Sequence, residues 1–210
     1  MILGLDTATA ATAAAVWTPD GLEREARDDP APGARPNHAT KLLALIEEVV
    51  QDDWEHVTRI AVGVGPGGFT GLRHGIATAR ALAQGRDLPL VGVSSLEALA
   101  AGSRHDGPLY AVIDARRGEV FAFAAGLLEP RAIAPADLAA RLVAGAQAVG
   151  DGAVRFREEL ERAGAHVPPD DSPVHRVSAL HVCRLGAAGE PAGRDALVPD
   201  YRREPDASPR

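Results

Sequence analysis

Two hydrophobic rhythms alternate along this chain. Residues 2–6 are a short apolar run that ends in Asp6, and residues 12–17 are a second run after a small, hydroxyl-bearing turn, a pattern that predicts a β-hairpin. A third strand is expected over residues 22–27, after the Pro19-Asp20-Gly21 turn. Three prolines and a glycine between Asp28 and Asn37 make that stretch a loop. From His38 to Gln51 the period becomes helical. Leu42, Leu43, Leu45, Ile46, Val49 and Val50 spread over roughly 160° of that helix, wider than the stripe of an ordinary surface helix.

Farther on, residues 59–65 (RIAVGVG) predict a buried strand, 70–85 a helix and 88–93 (LPLVGV) another strand. Ser94 then stands where a helix cap belongs, with Glu97 three residues on. Strand now alternates with helix, which implies parallel strands joined by crossover helices. After a glycine-containing break at 102–108 the opening pattern returns. Residues 110–114 are an apolar run ending in Asp114, and 119–125 pair with it as a second hairpin. Asp6 and Asp114 lie 108 positions apart, about half of the 210-residue chain. The strand at 59–65 is likewise echoed by 146–152 (AQAVGDG), before a helix at 156–164. Chance recurrence of apolar runs and two related lobes, each a sheet with helices, are both compatible with this rhythm. Residues 168–173 read as a polar loop, 178–186 as a short helix around Cys183, and 204–210 as a frayed tail.

Composition removes several classes of function. An apolar fraction of 46% with 24% charged residues belongs to globular proteins and excludes wholesale disorder. Charges, prolines or glycines interrupt every window of about 18 to 20 residues, so no membrane-spanning helix is expected. The start, MILGLDTAT, carries Asp6 and no basic stretch, which does not read as a secretory signal, and a cytoplasmic location is expected. Twenty-two basic against twenty-nine acidic residues leave a net charge of −7, with Lys41 the only lysine. That is a poor overall match to a polyanion, although a local arginine patch is compatible with RNA contact. Cys183 is alone, which excludes an intramolecular disulfide and a cysteine zinc cluster. His38 lacks a second histidine at i+3 or i+4 and the others are scattered, so no metal site is expected.

The most informative stretch is GPGGFTGLRHG at 65–75, where a strand gives way to a helix. Glycines there let backbone N–H groups approach a ligand or a partner closely. Gly63, Gly65 and Gly68 formally satisfy G-x-G-x-x-G, but the acid expected after the next strand is missing, and no lysine follows to make a phosphate-binding P-loop. Gly71, Gly75 and Ala79 recur every four residues, a stripe of small side chains, and Leu72, Ile76, Ala79 and Ala83 form an apolar line beside it. A helix lying tightly on its own sheet and a helix facing a second subunit both explain these stripes. The same two readings hold for the helix after His38. Asp6-Thr7-Ala8-Thr9 places an acid and two hydroxyls in a hairpin turn, an arrangement that surrounds nucleotide phosphates in kinase-like folds and elsewhere merely forms turns. Arg116 and Arg117 fill the matching turn after Asp114, and Gly150-Asp151-Gly152 reads either as an adenosine pocket or as a strand-to-helix turn.

Taken together, ILGLDTAT, Asn37-His38 before a leucine-rich helix, GPGGFTGLRHG, VSSLEALA at 93–100, DARRGEVF at 114–121 and PDYRR at 199–203 resemble the TsaB (YeaZ) family over residues 1 to about 203. The resemblance implies an α/β fold of two tandem actin-like, Hsp70-like, sugar-kinase-like lobes of ribonuclease H type: an N-terminal lobe at 1–105, a smaller C-terminal lobe at 106–203 and a tail at 204–210. It implies a non-catalytic dimerisation subunit for threonylcarbamoyladenosine modification of tRNA, with a TsaD homologue as partner and transferase, a TsaE homologue as associated ATPase, tRNA reached through the complex, and a homodimer when the chain is alone. Under this resemblance the partner face is made by Leu42, Leu45, Ile46, Val49, Phe69, Gly71, Leu72, Gly75, Ile76 and Ala79. Nucleotide contacts fall to Asp6, Thr7, Thr9, Gly150, Asp151 and Gly152, with ATP or ADP bound only within the complex, no cofactor required and no catalytic residue of its own. The alternative is an active nucleotide-dependent ATPase or phosphotransferase using Asp6 and Thr9. The chain departs from the family's usual pattern at Gly68, where a serine is common, and at His74, where an aliphatic residue is common and which brings a titratable group to the implied partner face.

Overall fold

A computed structural model describes residues 1–31, 33–193 and 196–202. The expected tail at 204–210 lies outside the described residues. β1 (Ile2–Asp6), β2 (Thr12–Trp17) and β3 (Glu23–Asp28) form an antiparallel meander, and β4 (Arg59–Gly65) and β5 (Leu90–Ser94) add to it in parallel, in the order β3-β2-β1-β4-β5. α1 (His38–Val50) and α2 (Phe69–Arg86) connect these strands, and α3 (Ser95–Ala101) follows, capped by the Ser94 hydroxyl, which accepts from the Glu97 N–H.

The second sheet repeats the plan in shorter form. β6 (Leu109–Arg116), β7 (Glu119–Ala124) and β8 (Leu128–Ile133) are antiparallel, and β9 (Gln147–Val149) is parallel to β6, in the order β8-β7-β6-β9. Two lobes of one duplicated α/β topology are therefore present, and the actin-like, sugar-kinase-like fold class is the one observed. β8 is not visible in the sequence pattern, because as an edge strand it tolerates the exposed Glu129 and Arg131 and the half-buried Pro130 that spoil its apolar run. The short helix α4 (Pro135–Ala139) escaped for the same lack of periodicity. The helix expected at 156–164 begins earlier, as α5 (Asp151–Arg155), breaks at Phe156 and resumes as α6 (Arg157–Arg162).

Three layers of packing hold these sheets. On one face of the first sheet, Leu3 and Leu5 meet Leu42, Ile46 and Val49 of α1 and Ile76 and Ala79 of α2. Each fully buried leucine or isoleucine here contributes roughly 2 kcal/mol of apolar transfer. The opposite face is covered by α7 (Ala179–Ala188), which the sequence assigns to the C-terminal lobe by position but which packs on β1, β2 and β4 of the first. A side chain on Gly4 would lie 2.5 Å from Cys183 Sγ and Ala179 O, so this close approach requires glycine. Burial pushes the Cys183 thiol well above its usual range, and it behaves as a small core residue. Between the sheets, Leu96 and Leu99 of α3 and Val182 of α7 join Ile113, Phe121 and Val149 in a shared core that ties the lobes together.

Candidate functional site

A cavity of about 510 Å³ opens between the lobes. Its walls come from the β1–β2 turn (Ala8, Thr9), the start of α1 (Arg35, His38), the start of α2 (Gly68 to Gly71, His74), the second lobe's turn (Asp114, Arg116, with Asp151) and the C-terminal segment (Asp200, Tyr201, Arg202). This is a size and a place that suit a small ligand. The sequence-predicted residues, however, use the space unequally.

Asp6 does not face the cavity. Its carboxylate accepts hydrogen bonds from Ser95 Oγ at 2.6 Å and from the Ala8 N–H at 2.9 Å, and the residue is 2% exposed. Burial pushes the carboxyl above its ordinary range, against the lowering effect of those two hydrogen bonds and of Arg27. The Thr7 hydroxyl is spent on Gly71 O at 2.7 Å. The phosphate site expected on Asp6 and Thr9 is therefore split: Asp6, like Thr7, has its polar atoms engaged inside the lobe, while Thr9 lines the cavity. Of the six residues expected to contact nucleotide, Thr9 and Asp151 line the cavity. Gly150 and Gly152 instead let α5 press against Val112 and Ile113.

The second lobe's turn is built from charge. Asp114 accepts from the Arg116 N–H at 2.9 Å, pairs with Arg155 at 2.7 Å and lies 3.5 Å from the Arg116 guanidinium. Its own N–H donates to Asp151 Oδ1 at 3.0 Å. Burial pushes the Asp151 carboxyl upward, with the neighbouring Asp114 charge acting the same way. Arg116 and Arg117 take positive φ to close the turn, and Arg116 reaches the cavity wall.

Nine of the ten residues expected on the partner face pack inside the first lobe of the single chain. Leu42, Leu45, Ile46, Val49, Gly71, Leu72, Gly75, Ile76 and Ala79 are all buried within their own lobe. The apolar arc of α1, apart from Leu43 at its edge, packs in the core of the first sheet, and the small-residue stripe of α2 clears the β1–β2 turn, since side chains on Gly71 and Gly75 would run into Thr7. Phe69 is the one residue of the ten that reaches the surface. The outward faces of these helices are Leu43, which is 56% exposed, with Ala44 and Glu47 on α1, and Arg73, His74 and Ala77 on α2.

Sequence reasoning missed two features. Ser95, which no local pattern singles out, donates its hydroxyl to the Asp6 carboxylate and holds it inward. The C-terminal segment crosses back over the first lobe: Leu197 enters its core, the Asp200 N–H donates to Val64 O at 2.8 Å, and Tyr201 stacks on Phe69 with centroids 5.1 Å apart. Arg73 lies 3.8 Å over the same Phe69 ring. PDYRR was legible only as a family motif, with no periodicity to place it. His38 Nδ1 sits 2.8 Å from Thr12 Oγ1, and burial, followed by the neighbouring His74, holds its imidazole below the usual range.

With this geometry in view, comparisons with known proteins become informative. The family model described as TsaD, tRNA N6-adenosine threonylcarbamoyltransferase, matches residues 32–140. The tRNA threonylcarbamoyladenosine biosynthesis protein TsaB of Escherichia coli is 37% identical over 126 residues, covering 57% of this chain and 52% of that protein. TsaB of Bacillus subtilis is 40% identical over 101 residues, 44% of each chain. The chain thus spans about half the length of these curated relatives in the matched region. Among solved structures, YeaZ from Pseudomonas aeruginosa superposes with a TM-score of 0.73 at 25% identity, covering 95% of this chain and 98% of that one.

Proposed function

The chain belongs to the TsaB/YeaZ family, and from that premise we propose that it is a supporting subunit in threonylcarbamoyladenosine modification of tRNA, binding a TsaD homologue that carries the chemistry. One observation of this structure carries the non-catalytic part of the reading. The acid that a kinase-like lobe would turn toward phosphate is held inward by Ser95, and the corresponding turn of the second lobe is closed by Asp114 with Arg116 and Arg155. The partner surface is the outer side of α1 and α2, around Leu43 and Ala77, continued by Phe69 and Tyr201. A TsaE homologue joins through the complex, and a homodimer through the same face is the state of the isolated chain. The location is the cytoplasm, where tRNA is modified; among the described residues no helix is long and apolar enough to cross a membrane.

The test is reconstitution with TsaD and TsaE homologues, ATP, threonylcarbamoyl-adenylate and tRNA. Leu43→Asp and Ala77→Asp alter exposed positions, so folding should survive. Association should weaken by more than about a hundredfold, about 3 kcal/mol, and modification should fall with it. Asp6→Asn should leave modification intact. ATP turnover by the chain alone, abolished in Asp6→Asn, would instead favour an active phosphotransferase of the same fold.

A further inference from the structure

The second lobe carries a polar groove that the reading above leaves unused. It lies where β8, α4 and the C-terminal segment meet, encloses about 430 Å³, and is lined by Arg131, Arg141 and Arg202, with Asp137 the acid on its wall. Arg131 and Arg141 are exposed, and among the described residues neither side chain forms an ion pair or hydrogen bond. Arg202 is tied to Asp200 at 2.7 Å and also lines the interlobe cavity, so the two hollows share a wall.

The chemistry of this groove selects one class of ligand. Its remaining lining is Pro130, Ala132 and Ile133, without an aromatic side chain on which a base would stack. A guanidinium presents a planar fork that matches phosphate oxygens. In a chain of net charge −7, Arg131, Arg141 and Arg202 against Asp137 on the wall and Asp200 beside Arg202 leave this groove locally positive. We infer that this groove contacts the phosphodiester backbone of the RNA substrate directly, through Arg131 and Arg141, with Arg202 extending the path toward the interlobe cavity. The inference rests on the subunit role in tRNA modification and replaces purely indirect tRNA contact with a positioning contact of the chain's own.

The test uses the full chain, alone and with its TsaD and TsaE homologues, and a fluorescently labelled tRNA transcript titrated over a series of salt concentrations. Arg131→Ala with Arg141→Ala should weaken tRNA binding about tenfold and flatten the log–log salt slope by about 1.8, the release of two counterion equivalents. Arg131→Lys with Arg141→Lys keeps the charge and should keep the slope. Thermal midpoints should not move, because both side chains are exposed and unpartnered. Unchanged affinity and slope in the alanine variant would overturn the inference. Preferential binding of a polyglutamate peptide over tRNA would also overturn it, in favour of an acidic protein segment. If the chain fails to assemble with the TsaD homologue, the subunit reading fails, while tRNA binding by the isolated alanine and lysine variants still decides the groove.

Discussion

Asp6 and Asp114 occupy matching places, each near the end of the first strand of its sheet, and the strand parallel to it is followed in both lobes by a glycine-initiated helix. The two acids nevertheless live in different worlds. Asp6 is sealed against Ser95 and the Ala8 N–H, whereas Asp114 is held by two arginines at the cavity wall. Duplication of a topology therefore preserves the position of a carboxylate without preserving its solvent, its partners or its capacity for chemistry. What decides the difference is the neighbour across the turn: a small hydroxyl from α3 in the first lobe, guanidinium groups in the second.

The largest effects should come from the crowded glycines of the two lobes, Gly63 beside Asp6 and Gly150 beside the strand that carries Asp114. A side chain at Gly63 would collide with the Asp6 carboxylate and approach Ser95 Oγ, and one at Gly150 would collide with the Val112 carbonyl. Gly150 also takes φ 111 and ψ 166, a region open essentially to glycine alone. Gly150→Ala should cost about 4 kcal/mol, strain added to overpacking, and Gly63→Ala about 2 to 3 kcal/mol, measured by urea unfolding. The comparison sharpens in the double variants. Gly63→Ala with Asp6→Ala should recover part of the loss because the obstacle is a side chain; for Gly150→Ala no side-chain substitution should help, because the obstacle is backbone.

An intermediate effect isolates the buried acid. Ser95→Ala leaves one carboxylate oxygen of Asp6 without its donor and should cost about 1 to 3 kcal/mol near pH 7. Asp6→Asn keeps an acceptor for the Ala8 N–H and a donor for Ser95 while removing the desolvated charge. Because burial raises the native titration of Asp6, the folded state holds that proton more tightly than the unfolded chain does. Its contribution to stability is then full below the ordinary value of 3.8 and is lost as pH rises through the native titration. Relative to the wild type, Asp6→Asn should gain stability as pH rises above 3.8. Asp114→Asn weakens the pair between a largely covered carboxylate and a half-exposed Arg155 while keeping an acceptor for the Arg116 N–H, and should cost about 1 kcal/mol. A flat difference for Asp6→Asn across that range would show that the two acids are not distinguished by burial.

How much of this could be read from residues alone follows the same division. Strands with clean rhythm, such as RIAVGVG at Arg59–Gly65, appear where periodicity puts them, and Ser94 caps α3 as the Ser-to-Glu97 spacing implies. β8 and α4 were illegible because an edge strand and a one-turn helix need little apolar pattern. The site was harder. Apolar width on α1 records burial without saying whether the cover is the chain's own sheet or another protein, and here the sheet supplies it for Leu42, Leu45, Ile46 and Val49. The direction of the Asp6 carboxylate depends on Ser95, 89 positions away, and the return of Tyr201 to Phe69 spans more still. Such contacts are set by tertiary packing, which no local spacing encodes.

The smallest effect turns on the two helix-starting glycines. Gly68 caps α2 without a side-chain hydrogen bond, at φ −63 and ψ 123, a conformation open to any residue. A side chain there would meet only Ala8 O, at an unhindered 3.6 Å. Gly68→Ser therefore supplies an acceptor for the unpaired N–H groups of the first turn of an 18-residue helix and removes backbone freedom from the unfolded chain. A gain of about 0.5 to 1 kcal/mol is expected, read as a rise in the urea midpoint with an unchanged slope. Gly150 starts α5 in the second lobe, and the same substitution there should be strongly destabilising, since its φ is positive and the Val112 carbonyl fills the space. Opposite signs for one chemical change at equivalent places would establish that the first lobe's turn is merely uncapped, while the second lobe's is sterically closed. Loss of stability in Gly68→Ser would mean instead that the Ala8 contact, made by the Gly68 N–H at 2.7 Å, is already as close as the turn allows.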